Sequence, residues 1–191
     1  LFNASDNINV PVYHIQHFKK VDADDEGNNI KEPDIFTGLA IDGNKEEISL
    51  RKVLTEAKGV FVEIYVTSGQ PLHGYITSIM NNYFVFHSPV YKKMYITLKH
   101  LKWLIPYTSN ERPYHLSERN FLVQLNDVSL ARTFEVQVGK FINQMVIFDI
   151  GEKEYHIGKI NDIKGQIVEI QTARGKPYYL NLHHIKILHP I

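Results

Sequence analysis

One stretch of this chain occurs twice, and that duplication limits what the chain can fold into. Leu98-Lys99-His100-Leu101-Lys102-Trp103-Leu104-Ile105-Pro106-Tyr107 returns 84 positions later as Leu182-His183-His184-Ile185-Lys186-Ile187-Leu188-His189-Pro190-Ile191. The same offset runs backwards without a gap. Gly74 falls on Gly158, Ile76 on Ile160, Ile79 on Ile163, Val85 near Val168, and Val62, Ile64 and Val66 on Val146, Phe148 and Ile150. An ungapped match from about residue 60 to 107 implies two copies of one folding unit. The expected division is an N-terminal extension (1–47), a first repeat (48–107), a linker (108–128) and a second repeat (129–191).

The unit reads as a short helix followed by five strands. Ser49 precedes Leu50, Val53, Leu54 and Ala57, which share one helical face, and Gly59 can end the helix. Strands are expected at Val60–Val66, Pro71–Met80, Tyr83–His87, Met94–Lys99 and Trp103–Tyr107, with a tight turn at Asn81-Asn82. Gly74, inside the second strand, marks a sharp bend or a close backbone approach. In the second repeat, strands are expected near Phe141–Ile150, Glu154–Ile163, Gln166–Thr172, Pro177–Leu182 and Lys186–His189. The stretch 120–138 mixes a helical spacing (Phe121, Leu122, Leu125, Val128) with an alternation (Phe134, Val136, Val138) that suits an extended piece. Upstream, Ile8 to Phe18 alternates like a strand, and Pro11 places it at an edge or bulge. Asp22 to Asn29 is a polar loop without the ligand spacing of a calcium-binding loop.

Composition narrows the chemistry. Net charge is zero with His neutral, so no global field draws in nucleic acid. The first 47 residues are acidic and each repeat is mildly basic. Cysteine is absent, which excludes disulfides and thiolate metal sites. No run is apolar and long enough to span a membrane, so no membrane partner is expected. There is no glycine-rich phosphate loop, no cysteine nucleophile and no serine in a strand-turn-helix elbow. The expectation is a protein that is not an enzyme and carries no cofactor. Ten histidines raise the question of a metal. His183 and His184 are adjacent on an expected strand and would point to opposite faces, which leaves His156 or His189 to approach one of them; no metal site is expected.

A short helix, then Val62-Glu63-Ile64-Tyr65-Val66-Thr67-Ser68-Gly69-Gln70-Pro71-Leu72-His73-Gly74-Tyr75-Ile76, resembles the first Sm motif, closest to its form in the bacterial RNA chaperone Hfq. Leu98-Lys99-His100 before an apolar strand ending in Pro106 is similar to the second motif of that protein, and Met80-Asn81 to the Met-Asn of eukaryotic Sm loops. The chain is also similar to small, functionally unassigned Sm-like proteins of spore-forming bacteria. The resemblance covers about 48–107 well and about 138–191 less well. It implies two Sm-like (SH3-type), strongly bent five-stranded antiparallel barrels, each preceded by a short helix, in a mainly β protein. It further implies assembly through strand edges, the fourth strand of one unit beside the fifth of the next, and RNA over the ring faces.

Carried over residue by residue, Lys99 and His100 would contact RNA, and Tyr83 would stack a base, near Asn81. Read directly, Lys92, Lys93, Lys99 and Lys102 could meet phosphates. The counterparts in the second repeat are His183, His184 and Lys186. There His183 stands in place of Lys, and Ile167 in place of the stacking aromatic. Two functions follow as expectations. The first is a non-catalytic assembly or scaffold module that forms homo-oligomers, or joins other protein subunits, through strand edges. The second is an Hfq-like protein that binds single-stranded RNA. A cytoplasmic or spore-associated setting is expected.

Overall fold

The structure is a computed structural model describing residues 49–66, 70–108, 113–115 and 129–191. The strand expected at Ile8–Phe18 and the helix expected over 121–128 lie outside the described residues. Most of the expected linker does too; Pro113–His115 within it is a short turn with Tyr114 and His115 at positive φ.

The first half begins with α1 (Leu50–Glu56), where the Ser49 hydroxyl accepts the Lys52 N–H at 3.2 Å and caps the first turn. Val53 and Leu54 face the core, and Gly59, at φ +80°, carries the chain out of the helix as expected. Five strands follow: β1 (Phe61–Tyr65), β2 (Leu72–Ile79), β3 (Tyr83–Ser88), β4 (Lys92–Thr97) and β5 (Trp103–Pro106). The second half repeats this with α2 (Phe134–Gly139), β6 (Met145–Phe148), β7 (Ile157–Lys164), β8 (Ile167–Gln171), β9 (Tyr178–Asn181) and β10 (Ile187–Pro190).

The repeat seen in the sequence holds residue by residue in the hydrogen-bonded register. Val62 pairs with Gly74 and Pro106, and Val146 pairs with Gly158 and Pro190. A bulge lies between Ile76 and Ser78 in β2, and another between Ile160 and Asp162 in β7. The two glycines explain the bend. A Cβ on Gly74 would lie 2.2 Å from the His87 carbonyl oxygen, and one on Gly158 would lie 2.3 Å from that of Gln171. Each long strand can press its backbone onto the next only because nothing projects there.

The halves are not two separate closed barrels. The strands form one open antiparallel sheet of ten, in the order β5-β1-β2-β3-β4-β10-β6-β7-β8-β9. The physical reason is at β4. Its outer edge is taken by β10 of the other half, with Ile96 opposite Ile187 and Tyr95 opposite Leu188, and not by β5 of its own half.

Two cores result, and they interlock. One gathers α1 and β1–β5 and takes in Ile187. The other gathers α2 and β6–β10 and takes in Tyr83, Val85 and Tyr95 from the first half. The run Tyr83-Phe84-Val85-Phe86 is buried throughout because β3 feeds alternate side chains to the two cores.

Three expectations for the second half are corrected. Phe134, Val136 and Val138 lie on helix α2 and not on an extended piece. The strand expected to reach Ile150 stops at Phe148, where Asp149 and Ile150 turn the chain at positive φ. His183 and His184 lie in the turn before β10, not on a strand.

Candidate functional site

The joint between β4 and β10 draws together residues that the sequence marked separately. The turn Leu98–His100 and its counterpart around His183 meet there. The Lys99 ammonium donates to the His183 carbonyl at 2.5 Å and lies 3.4 Å from its ring Nδ1. His100 Nε2 lies 3.2 Å from the same carbonyl, so that nitrogen carries the proton. Thr97 continues the ladder, its backbone N–H (2.9 Å) and its hydroxyl (3.2 Å) both donating to the Lys186 carbonyl. Lys99, His100 and His183 therefore form one group, with exposed His184 next in the chain and Lys186 joined to it through its backbone carbonyl.

Asp149 fastens the start of β10. Its carboxylate accepts the N–H groups of Lys186 (2.8 Å) and Ile187 (3.0 Å). In the first half the backbone carbonyl of Tyr65, the counterpart of Asp149, accepts the Lys102 N–H instead. Burial raises the Asp149 pKa, outweighing these two hydrogen bonds and the nearby His156 and Lys186.

On the other side of the joint, the Asn81-Asn82 turn of the first half holds the start of α2. Asn82 Oδ1 accepts the Phe134 N–H at 2.7 Å, and its amide donates to both Glu135 carboxylate oxygens at 3.1–3.2 Å. Thr133, at the N-cap position, makes no side-chain cap of its own. Burial pushes the Glu135 pKa up. Hydrogen bonds from its own backbone, Asn82 and Thr133, with His183 nearby, pull harder and hold it below the usual value.

Tyr83 is a correction. It is fully buried, its hydroxyl donating to the Ala131 carbonyl at 2.7 Å beside Gln137 Oε1 at 3.2 Å. Burial, and Tyr95 beside it, push its pKa up to about 12. The ring packs on Phe134 and Tyr95 and offers no face to a base. The remaining sequence candidates are apart from this cluster. Lys92 donates to the Pro89 carbonyl at 3.0 Å and Lys102 lies over the Tyr65 ring. Lys93 pairs opposite His87. Asn81 takes its N–H to the Arg132 carbonyl, and its own carbonyl accepts from Arg51.

A shallow hollow of about 250 Å³ sits elsewhere in the first half, lined in part by Gln70, His73, Ser88, Tyr91 and Tyr114. At its rim the Tyr107 hydroxyl lies 2.8 Å from His73 Nδ1, and Glu63 is 3.7 Å from that nitrogen. Among the described residues, no three His, Asp or Glu side chains gather as a metal set. No described helix is long and apolar enough to cross a membrane.

The feature that local reading missed is the joint itself. Sequence marked Lys99, His100 and His183 as equivalents in two units, and the fold places them in contact. Two strand edges remain outside any ladder among the described residues, β5 at one end of the sheet and β9 at the other.

Comparison with known proteins gives a family match and relatives in Bacillus subtilis. Residues 133–188 match the family of the YwrJ third domain. The chain is 34% identical over 192 residues to the uncharacterized protein YwrJ of Bacillus subtilis, covering 99% of this chain and 84% of that one. It is 24% identical over 143 residues to spore coat protein B of the same organism, covering 75% of this chain and 35% of that one. No solved structure matches.

Proposed function

The chain belongs to the family of the uncharacterized protein YwrJ, and from that footing we propose that it is a non-catalytic assembly module whose strand edges join subunits. One observation carries this: the molecule already contains such a joint. β4 and β10 come from successive copies of one unit and pair edge to edge, with a helix of one copy covering an outer strand face of the other. The same unit ends the sheet at β5 and at β9 with edges of the same kind. An uncovered edge invites pairing unless it is blunted. Within this proposal each half is an Sm-like bent sheet, a reading supported by the matching orders β5-β1-β2-β3-β4 and β10-β6-β7-β8-β9. The setting proposed is the spore, supported by the similarity to spore coat protein B.

The test is sedimentation of the full chain across a wide concentration range, with Tyr179→Pro as the edge-blocking variant, because Tyr179 is the counterpart of Tyr95, whose backbone faces the joint. Assembly that the proline abolishes supports the reading, since proline removes a ladder N–H. A wild-type chain that stays monomeric at the highest concentration, without aggregation, counts against it.

A second reading, binding of single-stranded RNA, is favoured by the grouping of Lys99, His100 and His183. It expects retention of RNA by pure protein at low salt, and a shallower salt slope in Lys99→Ala. The burial of Tyr83 leaves it without the stacking ring and places it second.

A further inference from the structure

One place in the duplicated unit is furnished differently in the two halves. In the second half it is filled by the chain's own cations. The Arg174 guanidinium lies 3.3 Å from the Glu154 carboxylate, and the Lys153 ammonium lies 5.4 Å from the centre of the Tyr155 ring. At the same offset, the first half has Val90 in place of Arg174, Gln70 in place of Glu154 and Gly69 in place of Lys153. Those cations are gone, and the place is a hollow of about 250 Å³ between the start of β2 and the turn from β3 to β4.

What surrounds the hollow suits a cation. Tyr91 and Tyr114 both line it, and the electron-rich face of such a ring attracts an ammonium. The Gln70 amide donates to the Tyr91 hydroxyl at 3.3 Å, and His73 meets Tyr114 edge to face with ring centres 5.8 Å apart. Glu63 stands beside His73 with its side chain 26% exposed, and it pairs with no lysine or arginine among the described residues. Burial raises the Tyr114 pKa, and Tyr91 and then Glu63 raise it further, so both lie near its hydroxyl. No lysine or arginine is in the lining. Lys92, at the start of β4, sends its ammonium back to the Pro89 carbonyl at 3.0 Å. A phosphate or carboxylate entering here would meet no counter-charge and would be repelled by Glu63.

We propose that the hollow receives the ammonium end of a lysine side chain from a partner protein, in the place where the second half seats cations of its own. A lysine carries a compact charge on a slim apolar stem, and that stem can cover Pro71 and Val90. The site lies at the turns of the unit and not on a strand edge, so the inference stands apart from the assembly reading. It is also opposite in sign to RNA binding, which needs cations on the protein.

The probe is an acetylated, amidated Gly-Lys-Gly peptide titrated into the full chain and followed by the NMR shifts of the Tyr91, Tyr114 and His73 rings. The same peptide with norleucine in place of lysine is the neutral control, and one with glutamate is the anionic control. The lysine peptide is expected to give saturable shifts, with a dissociation constant of roughly 1–10 mM for one partly exposed ammonium, and the controls none that saturate. Glu63→Gln and Tyr114→Leu should each weaken binding by about threefold to fivefold. The double variant Gln70→Glu, Val90→Arg copies the ion pair of the second half into the hollow and should abolish binding. The peptide comparison is made on the unaltered chain, so it decides the matter even where a variant folds poorly. Equal binding of the norleucine peptide, preference for the glutamate peptide, no shift with the lysine peptide, or undiminished binding in the folded double variant each overturns the inference. Putrescine, a free diamine, is the last arm. An affinity about tenfold above that of the lysine peptide would assign the hollow to a small ammonium ligand and overturn the lysine side chain as its occupant; a similar or weaker affinity supports it.

Discussion

At the scale of single residues, the sharpest demand falls on two glycines. A Cβ at residue 74 or 158 would strike a neighbouring carbonyl oxygen near 2.2–2.3 Å, and backbone of that kind cannot move aside cheaply. Gly74→Ala and Gly158→Ala should each destabilise the fold by about 3 kcal/mol, read as a lower urea midpoint. Gly139, with open space around its Cβ position, provides the contrast: Gly139→Ala at the end of α2 should be neutral or stabilise by about 0.5 kcal/mol. Equal losses at all three positions would show that close approach is not the cause. Histidine supplies the next prediction. The Nδ1 atoms of His156 and His189 are buried without a hydrogen-bond partner among the described residues. Burial lowers both pKa values from 6.5; at His156 Asp149 and Glu152 pull upward while Lys153 and Lys186 add to the lowering, and His189 meets the edge of the Tyr91 ring. With the folded pKa below the unfolded one, the unfolded chain takes up protons first. Stability is therefore full above about pH 6.5 and is lost as pH falls through the folded values. Asp149, with its pKa raised, works in the opposite sense and does not cause such a loss. The first half carries Leu72 and Ile105 at the matching positions. The double variant His156→Leu, His189→Ile should flatten the drop in Tm between about pH 7.5 and pH 5.5. An unchanged drop would assign it to His87, whose pKa is also lowered, by burial and then by Lys92 and Lys93.

At the scale of elements, α2 shows where sequence reading succeeds and where it stops. The first-half strands were legible because apolar alternation and turn residues are local signals, and the structure places them within one residue of the expected bounds except β4, which is shifted by two residues at both ends. The fold-level duplication was legible because the ladder pairs of the second half repeat those of the first at one offset. α2 was not legible. Phe134-Glu135-Val136-Gln137-Val138 alternates as a strand would, and Thr133 caps nothing with its side chain. What makes it helical comes from elsewhere in the chain: Asn82 accepts the Phe134 N–H and donates to Glu135, and Gln137 takes the Ala131 N–H at 2.8 Å. The signal was the counterpart relation to α1, whose Leu50 and Leu54 match Phe134 and Val138. The same non-locality hid the meeting of Lys99 with His183 and the burial of Tyr83, since both depend on which half covers which. Asn82→Ala should thus cost about 1–2 kcal/mol, as loss of an N-cap does, although it lies some fifty residues from the helix it caps. Circular dichroism should show a small helical loss, and Glu135 should titrate closer to an ordinary carboxylate in that variant. A change confined to the Asn81-Asn82 turn would argue that α2 holds itself.

At the scale of the whole molecule, the exchange of residues between the cores decides how the chain comes apart. The second core is incomplete without Tyr83, Val85 and Tyr95, and the first takes in Ile187. Opening the β4–β10 joint would uncover four fully or nearly fully buried side chains at once. Burial of large apolar side chains is worth roughly 1.5–3 kcal/mol each, so a state with one half folded and the other lost carries a penalty comparable to the stability of a small domain. The two halves should therefore unfold in one transition despite being copies of a single unit, with calorimetric and van't Hoff enthalpies agreeing for dilute protein. Tyr95→Ala, on the first-half strand β4 but packed on Phe141 of the second, should lower stability by about 3–5 kcal/mol, the cost of removing a buried aromatic. It should move that single transition as a whole. Two transitions in the wild type, or a variant that shifts only one of them, would mean that each unit holds its own core and that the joint is an association of finished parts. That outcome would also weaken the use of the internal joint as a template for contact between copies, because a template needs the covering side chains to be part of the fold they complete.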